Sequence, residues 1–201
     1  MTIPCAIMSL FVCFASTPSA HSQTINTTPL GLSIFASRKK REEQKQHEAE
    51  EELRQVCSEE PPLLAKIKPI VQQFPSTLKA KDEDGELPLH LACWKGASLD
   101  VVQCLVQGWP FGVRAKTNRL WLPLHYACFG KETLDVIQYL VQQWQESIKA
   151  QDNRNRLPLH LACFSGAPLE TIQYLVEQWP AGVQAQDNGG SLPLHLACDN
   201  K

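Results

Sequence analysis

From about Leu53 to the end of the chain, apolar and polar positions follow one recurring block pattern. The string LPLHLAC at residues 87–93 returns as LPLHYAC at 122–128 and as LPLHLAC at 157–163 and 192–198, each time after 35 residues. Behind the first three copies lie longer segments of one form: LDVVQCLVQGWP at 99–110, LDVIQYLVQQWQ at 134–145 and LETIQYLVEQWP at 169–180. Leu99, Val102, Leu105 and Val106 fall at i, i+3, i+6 and i+7, which is one apolar stripe on a helix. LAKIKPIVQQFP at 64–75 has the same form and carries a degenerate unit back to about Leu53. Self-similarity at a fixed interval of this length marks a repeat architecture. The pattern predicts an all-α repeat solenoid of stacked helix-turn-helix units with extended finger loops, preceded by a charged helix and a disordered leader. The expected divisions are a degenerate cap at 53–86, repeats at 87–121, 122–156 and 157–191, and a truncated repeat at 192–201.

Within a unit the punctuation is local. Pro88, Pro123, Pro158 and Pro193 suit the first position of a helix, where a missing N–H costs nothing and the fixed φ is already helical. Gly96 and Gly166 stop the short inner helix. Pro110 and Pro180 stop the outer one, whereas Gln145 does not, so the middle outer helix is expected to run longer. Val113 and Ala115 then alternate with Arg114, as Ile148 and Ala150 do with Lys149, which predicts an extended arm packed on one side. The arms turn at Asp82-Glu83-Asp84-Gly85 and Asp187-Asn188-Gly189-Gly190. Burying the aliphatics of one stripe stabilises by roughly 6–12 kcal/mol, at about 1.5–3 each. Ordering a whole unit costs several times that, so stability must come from stacking neighbours.

The flanking segment is different in kind. Residues 1–37 hold an apolar run, IPCAIMSLFVCFA at 3–15, followed by Ser/Thr/Pro-rich sequence. The run is too short to cross a bilayer, which takes about 20 residues, so no membrane span is expected. Its length suits a secretory signal or transit core, with a small-x-small pattern at Cys13 and Ala15 and a glycosylation sequon at Asn26. Against that, the first basic residue is Arg38, after the run rather than before it. Residues 38–57 are charged and rich in helix formers, which predicts a solvated helix leading into the cap. Its RKKR at 38–41 reads as exposed charge or as a nuclear address. A net charge of −2 gives no chain-wide attraction to polyanions, so nucleic acid is not an expected partner. Of eight cysteines, four recur at the repeat interval rather than in a disulfide framework, which predicts reduced thiols. The thiols point to the cytoplasm and the apolar leader to secretion or an organelle.

The repeated residues resemble the ankyrin repeat: a D-x-x-G turn, then x-[TL]-P-L-H-x-A-x-x-x-G, then an outer amphipathic helix. The resemblance covers residues 53–201, as a 35-residue variant of a unit whose usual length is about 33. One extra residue falls at Gly96-Ala97-Ser98-Leu99 between the helices, and one after the outer helix, where Trp-Pro stands in place of the family's glycine. Leu87, Leu122, Leu157 and Leu192 replace the family's capping threonine, a loss of about 1 kcal/mol each. The resemblance implies that Cys93 and its equivalents take the place of a buried alanine. It also implies that His90, His125, His160 and His195 are structural, bonding between the loops of neighbouring units. A shared metal at the His/Cys pairs is disfavoured: zinc needs four ligands within about 2.3 Å, stacked helices stand about 8–10 Å apart, and each unit offers only a pair. No catalytic residue, metal or cofactor is expected, and no nucleophile elbow, phosphate loop or paired-carboxylate pattern is present. Phe74, Trp109, Trp144 and Trp179 form an aromatic ladder expected to pack at the ends of outer helices.

Function follows from the exposed positions. The resemblance implies a non-enzymatic protein-protein interaction module or scaffold, binding a partner on its concave and finger surface. The family's contact positions map here to Trp94, Phe129 and Phe164 on the inner helices and to Arg119, Leu120, Trp121, Arg154 and Arg156 on the fingers. Leu120 stands where glycine would allow a positive φ, so that finger is expected either to change shape or to have a use. The Arg/Trp cluster resembles an interface hot spot for an acidic, partly apolar protein. Two alternatives stay open: a truncated segment of a larger regulatory protein, because LPLHLACDNK stops partway through a unit, and a small enzyme using the His/Cys pairs. A monomer is expected unless that open end self-associates.

Overall fold

A computed structural model describes residues 29–59, 62–130 and 133–199 of the chain, with side chains from residue 36 to residue 198. The apolar run at 3–15, its cleavage pattern and the Asn26 sequon lie outside the described residues. The chain divides into two compact units, Met1–Lys39 and Lys40–Lys201. The first helix, α1, spans Pro29–Ser58, so it starts before the charged segment, with proline at a position that needs no N–H. Arg38, Lys39, Lys40 and Arg41 are exposed. Further on, Ala49, Leu53, Val56 and Cys57 fall at i, i+4, i+7 and i+8 and are all buried, one stripe that joins the core.

In the second unit two rows of helices alternate. The inner row is α3 (Pro88–Trp94), α5 (Pro123–Phe129), α7 (Pro158–Ser165) and α9 (Pro193–Asp199). The outer row is α2 (Leu64–Gln73), α4 (Leu99–Gly108), α6 (Leu134–Gln143) and α8 (Leu169–Gln178). Each helix packs on the next member of its own row and each inner helix on the outer helix that follows it. Val101, Val102, Leu105 and Val106 form the buried stripe of α4, with Leu99 only half-buried at its start. Cys93, Cys128 and Cys163 are buried between the rows. Burial pushes the Cys128 thiol, and less strongly the Cys163 thiol, above the ordinary range, so neither is a thiolate at neutral pH.

The extended arm is corrected by the structure. Each outer helix is followed by a 3-10 turn, at Pro75–Lys79, Pro110–Arg114, Gln145–Lys149 and Pro180–Gln184, and the backbone becomes extended only at Ala80, Ala115, Ala150 and Ala185. Val113 and Ile148 are buried from within those turns. The middle outer helix does not run longer either. Trp144 takes φ −155° and ψ 93°, the same break as Trp109 at −150° and 88°, while its N–H still bonds the Leu140 carbonyl. The break therefore does not require a following proline, and it recurs with phenylalanine at Phe74. Arg114 lies over the Trp144 ring of the next unit at 5.6 Å, a cation–π tie between neighbours.

The inner-helix starts have no side-chain cap, and the histidines satisfy a different donor there, the N–H of the leucine before the helix. Leu87, Leu122 and Leu157 are buried and offer no capping oxygen. Instead Nδ1 of the histidine three residues on accepts their N–H, at 3.0 Å for His90 and 3.1 Å for His125 and His160. This is the return half of a capping box, with imidazole in place of glutamate. Since Nδ1 accepts, the proton sits on Nε2. His90 Nε2 donates to the Ala115 carbonyl at 3.1 Å, and His160 Nε2 to that of Ala185 at 3.1 Å, each in the next finger. His125 Nε2 is buried without a hydrogen-bond partner. His195, in the last inner helix, is exposed and still accepts the Leu192 N–H at 3.2 Å.

Candidate functional site: a basic aromatic recess between two fingers

Each finger tip is folded by one short polar side chain. Oδ1 of Asp82 accepts the N–H groups of Asp84 and Glu86, and Oδ1 of Asp187 those of Gly189 and Ser191. In the second finger Thr117 accepts only the Trp121 N–H through its hydroxyl. The fourth tip residue takes the left-handed conformation in every finger: Gly85 at φ 77°, Leu120 at 60°, Asn155 at 58° and Gly190 at 76°. Leu120 thus keeps the shared loop shape at the expense of local strain.

The tips are tied to one another. Asn118 N–H donates to the Asp84 carbonyl at 2.9 Å, Asn153 N–H to Arg119 at 3.1 Å and Asn188 N–H to Arg154 at 2.9 Å. The side-chain amides of Asn118 and Asn188 reach back as well, to the carbonyls of Glu83 and Asn153. A recurring asparagine at the repeat interval was the available signal for this ladder, visible at residues 118, 153 and 188.

Asp152 is the hub between the second and third fingers. Its side chain is fully buried, and Oδ1 accepts the N–H groups of Arg154 and Arg156, each at 2.8 Å. Oδ2 accepts Trp121 Nε1–H at 3.0 Å and the Arg156 guanidinium, through Nε at 2.9 Å and Nη2 at 2.8 Å. Burial alone would raise this carboxyl; the N–H groups of Arg156 and Arg154 and the guanidinium outweigh it and hold it below the usual carboxylate range.

Trp121 is 8% exposed, so its ring acts as a strut rather than an open contact. It packs edge-to-face on Tyr126 and Phe129, at 5.0 and 5.5 Å between centroids, and Arg156 lies over it at 5.6 Å. Phe129 in turn stacks on Phe164, 6.1 Å apart with planes only 10° from parallel. The Tyr126 hydroxyl bonds the Glu86 carboxylate, and Ser165 Oγ caps the Cys128 carbonyl of the preceding inner helix at 2.9 Å.

The result is a recess of about 420 Å³ whose walls are Arg119, Arg154 and Arg156 on the finger side and Trp121, Phe129 and Phe164 on the helix side. Six of the eight positions singled out by sequence meet there. Trp94 and Leu120 do not line it; both are exposed, at 47% and 42%, and the Lys95 ammonium sits over the Trp94 ring. Arg119 and Arg154 are exposed and their guanidinium groups make no hydrogen bond or ion pair with a described residue. Asn153 also lines the recess; Asp152, which holds its walls together, carries no signal of its own in the sequence, because aspartates also open the turns at Asp82 and Asp187. Among the described residues no group of three or more His, Cys, Asp or Glu side chains is placed to hold a metal ion, and no helix is long and apolar enough to cross a membrane.

Paired short helices stacked in two rows, each pair joined to the next by a finger, define the chain as a repeat solenoid. A sequence profile described as Ankyrin repeats (3 copies) matches residues 63–152 and 131–201. The chain belongs to the ankyrin repeat family, whose members are in general protein-protein interaction modules and typically lack enzymatic activity. No curated protein matches it.

Proposed function

We propose that this chain is a non-enzymatic interaction module that engages an acidic, partly apolar segment of a partner protein on its inner-helix and finger surface. One observation carries the reading: the recess brings three arginines and three aromatic rings into a single space with no acid among its lining residues. Such an arrangement offers charge steering and a desolvated anchor together. The free thiols at Cys57, Cys104, Cys128 and Cys163 support placement in a reducing compartment, the cytoplasm. The test is quantitative affinity capture on C-terminally tagged chain, comparing the wild type with an Arg154→Ala, Phe164→Ala double variant. Both side chains are exposed, so the variant keeps its fold. Captured proteins that depend on the recess should fall at least tenfold in the variant; an unchanged set of partners at unchanged levels would remove the reading.

A further inference from the structure

The recess asks for a particular kind of side chain. Arg119 and Arg154 project from neighbouring fingers whose backbones are joined by the Asn153 N–H bond to the Arg119 carbonyl at 3.1 Å. That bond sets the two residues side by side, so both guanidiniums serve the same mouth. Arg156 lines the same space but is already neutralised by Asp152 at 2.8 Å. The Glu86 carboxylate, which accepts the Tyr126 hydroxyl, keeps its charge and acts on Arg119 without forming an ion pair with it. The recess therefore presents two guanidiniums, those of Arg119 and Arg154, that are not held in an ion pair, and its far wall is the parallel pair Phe129 and Phe164 on the Trp121 strut.

A lone carboxylate meets the guanidiniums but leaves the aromatic wall uncovered. A phosphoserine supplies the charge, about −1.5 to −2 at neutral pH, but has no apolar body. One side chain carries an aromatic body and a doubly charged end along a single axis. Resting on the proposed partner-binding role of this surface, we propose that the recess binds a phosphotyrosine in a segment of a partner protein, with the ring against Phe129 and Phe164 and the phosphate between Arg119 and Arg154. Guanidinium pairs suit this end because they bind phosphate through forked, charge-assisted hydrogen bonds. The volume of about 420 Å³ lies within the range of sites for a single small group, roughly 300–1,000 Å³.

The experiment uses the full chain and fluorescence anisotropy with four labelled heptapeptide pools of mixed flanking sequence. Their fixed centres are phosphotyrosine, tyrosine, phosphoserine and tyrosine between two glutamates. The phosphotyrosine pool should bind at least tenfold more tightly than each of the others. Arg119→Gln and Arg154→Gln should each reduce its affinity by roughly tenfold, the loss of a charge-assisted hydrogen bond. Phe164→Ala should erase the preference over phosphoserine. Equal binding of the tyrosine pool overturns the proposal; equal binding of the phosphoserine pool reduces the site to a bare anion hole, and equal binding of the glutamate pool to an acidic-segment site. If no pool is preferred while partner capture still responds to Arg154→Ala, Phe164→Ala, the phosphotyrosine assignment falls and the interaction role stands. If neither responds, both fall.

Discussion

Acid should unfold this solenoid through two of its histidines. His90 and His125 are completely buried, and burial, the largest influence on each, pushes both down from 6.5 to about 4. Around His90 the backbone acceptor at Ala115 and the Asp82 charge act the other way, while Lys81 adds to the depression; around His125, Asp152 opposes and Lys116 adds. A histidine with a folded pKa below its unfolded one binds its proton more readily when the chain is unfolded. Stability is therefore full above pH 6.5 and falls as the pH drops from 6.5 through 4. Each buried histidine contributes a slope of about 1.4 kcal/mol per pH unit and roughly 3 kcal/mol across the window. Together they remove on the order of 6 kcal/mol, comparable with the whole stability of a domain, about 5–15 kcal/mol. Urea unfolding followed by tryptophan fluorescence at pH 7, 6 and 5 measures the slope. The matched perturbation is His90→Gln with His125→Gln, since glutamine at the third helical position accepts the leucine N–H in the same way. The double variant should lose most of the slope between pH 6.5 and 5; a slope identical to that of the wild type would refute the reasoning.

Two further outcomes follow from the fingers. Trp121→Phe keeps a ring but removes the Nε1–H bond to Asp152 at 3.0 Å; a hydrogen bond to a charged acceptor is worth about 1.5–3 kcal/mol, so urea unfolding should show a loss of about 2 kcal/mol, and a loss below about 0.5 would mean the indole is not a strut. Leu120→Gly should stabilise by about 0.5–1 kcal/mol in the same assay, because the leucine holds φ at 60° and a left-handed leucine costs about 1–2 kcal/mol against the smaller entropic cost of glycine; a destabilised variant would show that Leu120 serves the fold.

The two rows of helices were legible because their signals are local and repeated: proline opens an inner helix, an apolar stripe defines an outer one, and the interval is constant. The break after the outer helix was misplaced because proline was credited with ending it. The same break occurs at Trp144 without a following proline. The histidines are expected to bond between neighbouring units, whereas the Nε2 bonds of His90 and His160 reach Ala115 and Ala185 in their own repeats; their other bond, back to the leucine N–H, depends on a ring orientation that spacing alone does not supply. At the recess, the arginines and phenylalanines stand out because they occupy the contact positions of the ankyrin repeat. Burial of Trp121 does not, since it depends on Asp152 in the following finger, 31 residues away in sequence.

The finger ladder has a mechanical side. Each tip holds the preceding one through a backbone bond, reinforced at Asn118 and Asn188 by an amide, so a load on one tip is shared along the row instead of bending a single loop. A partner pulled away from the third finger would draw on the second and fourth at once, and rupture would proceed as peeling from an end.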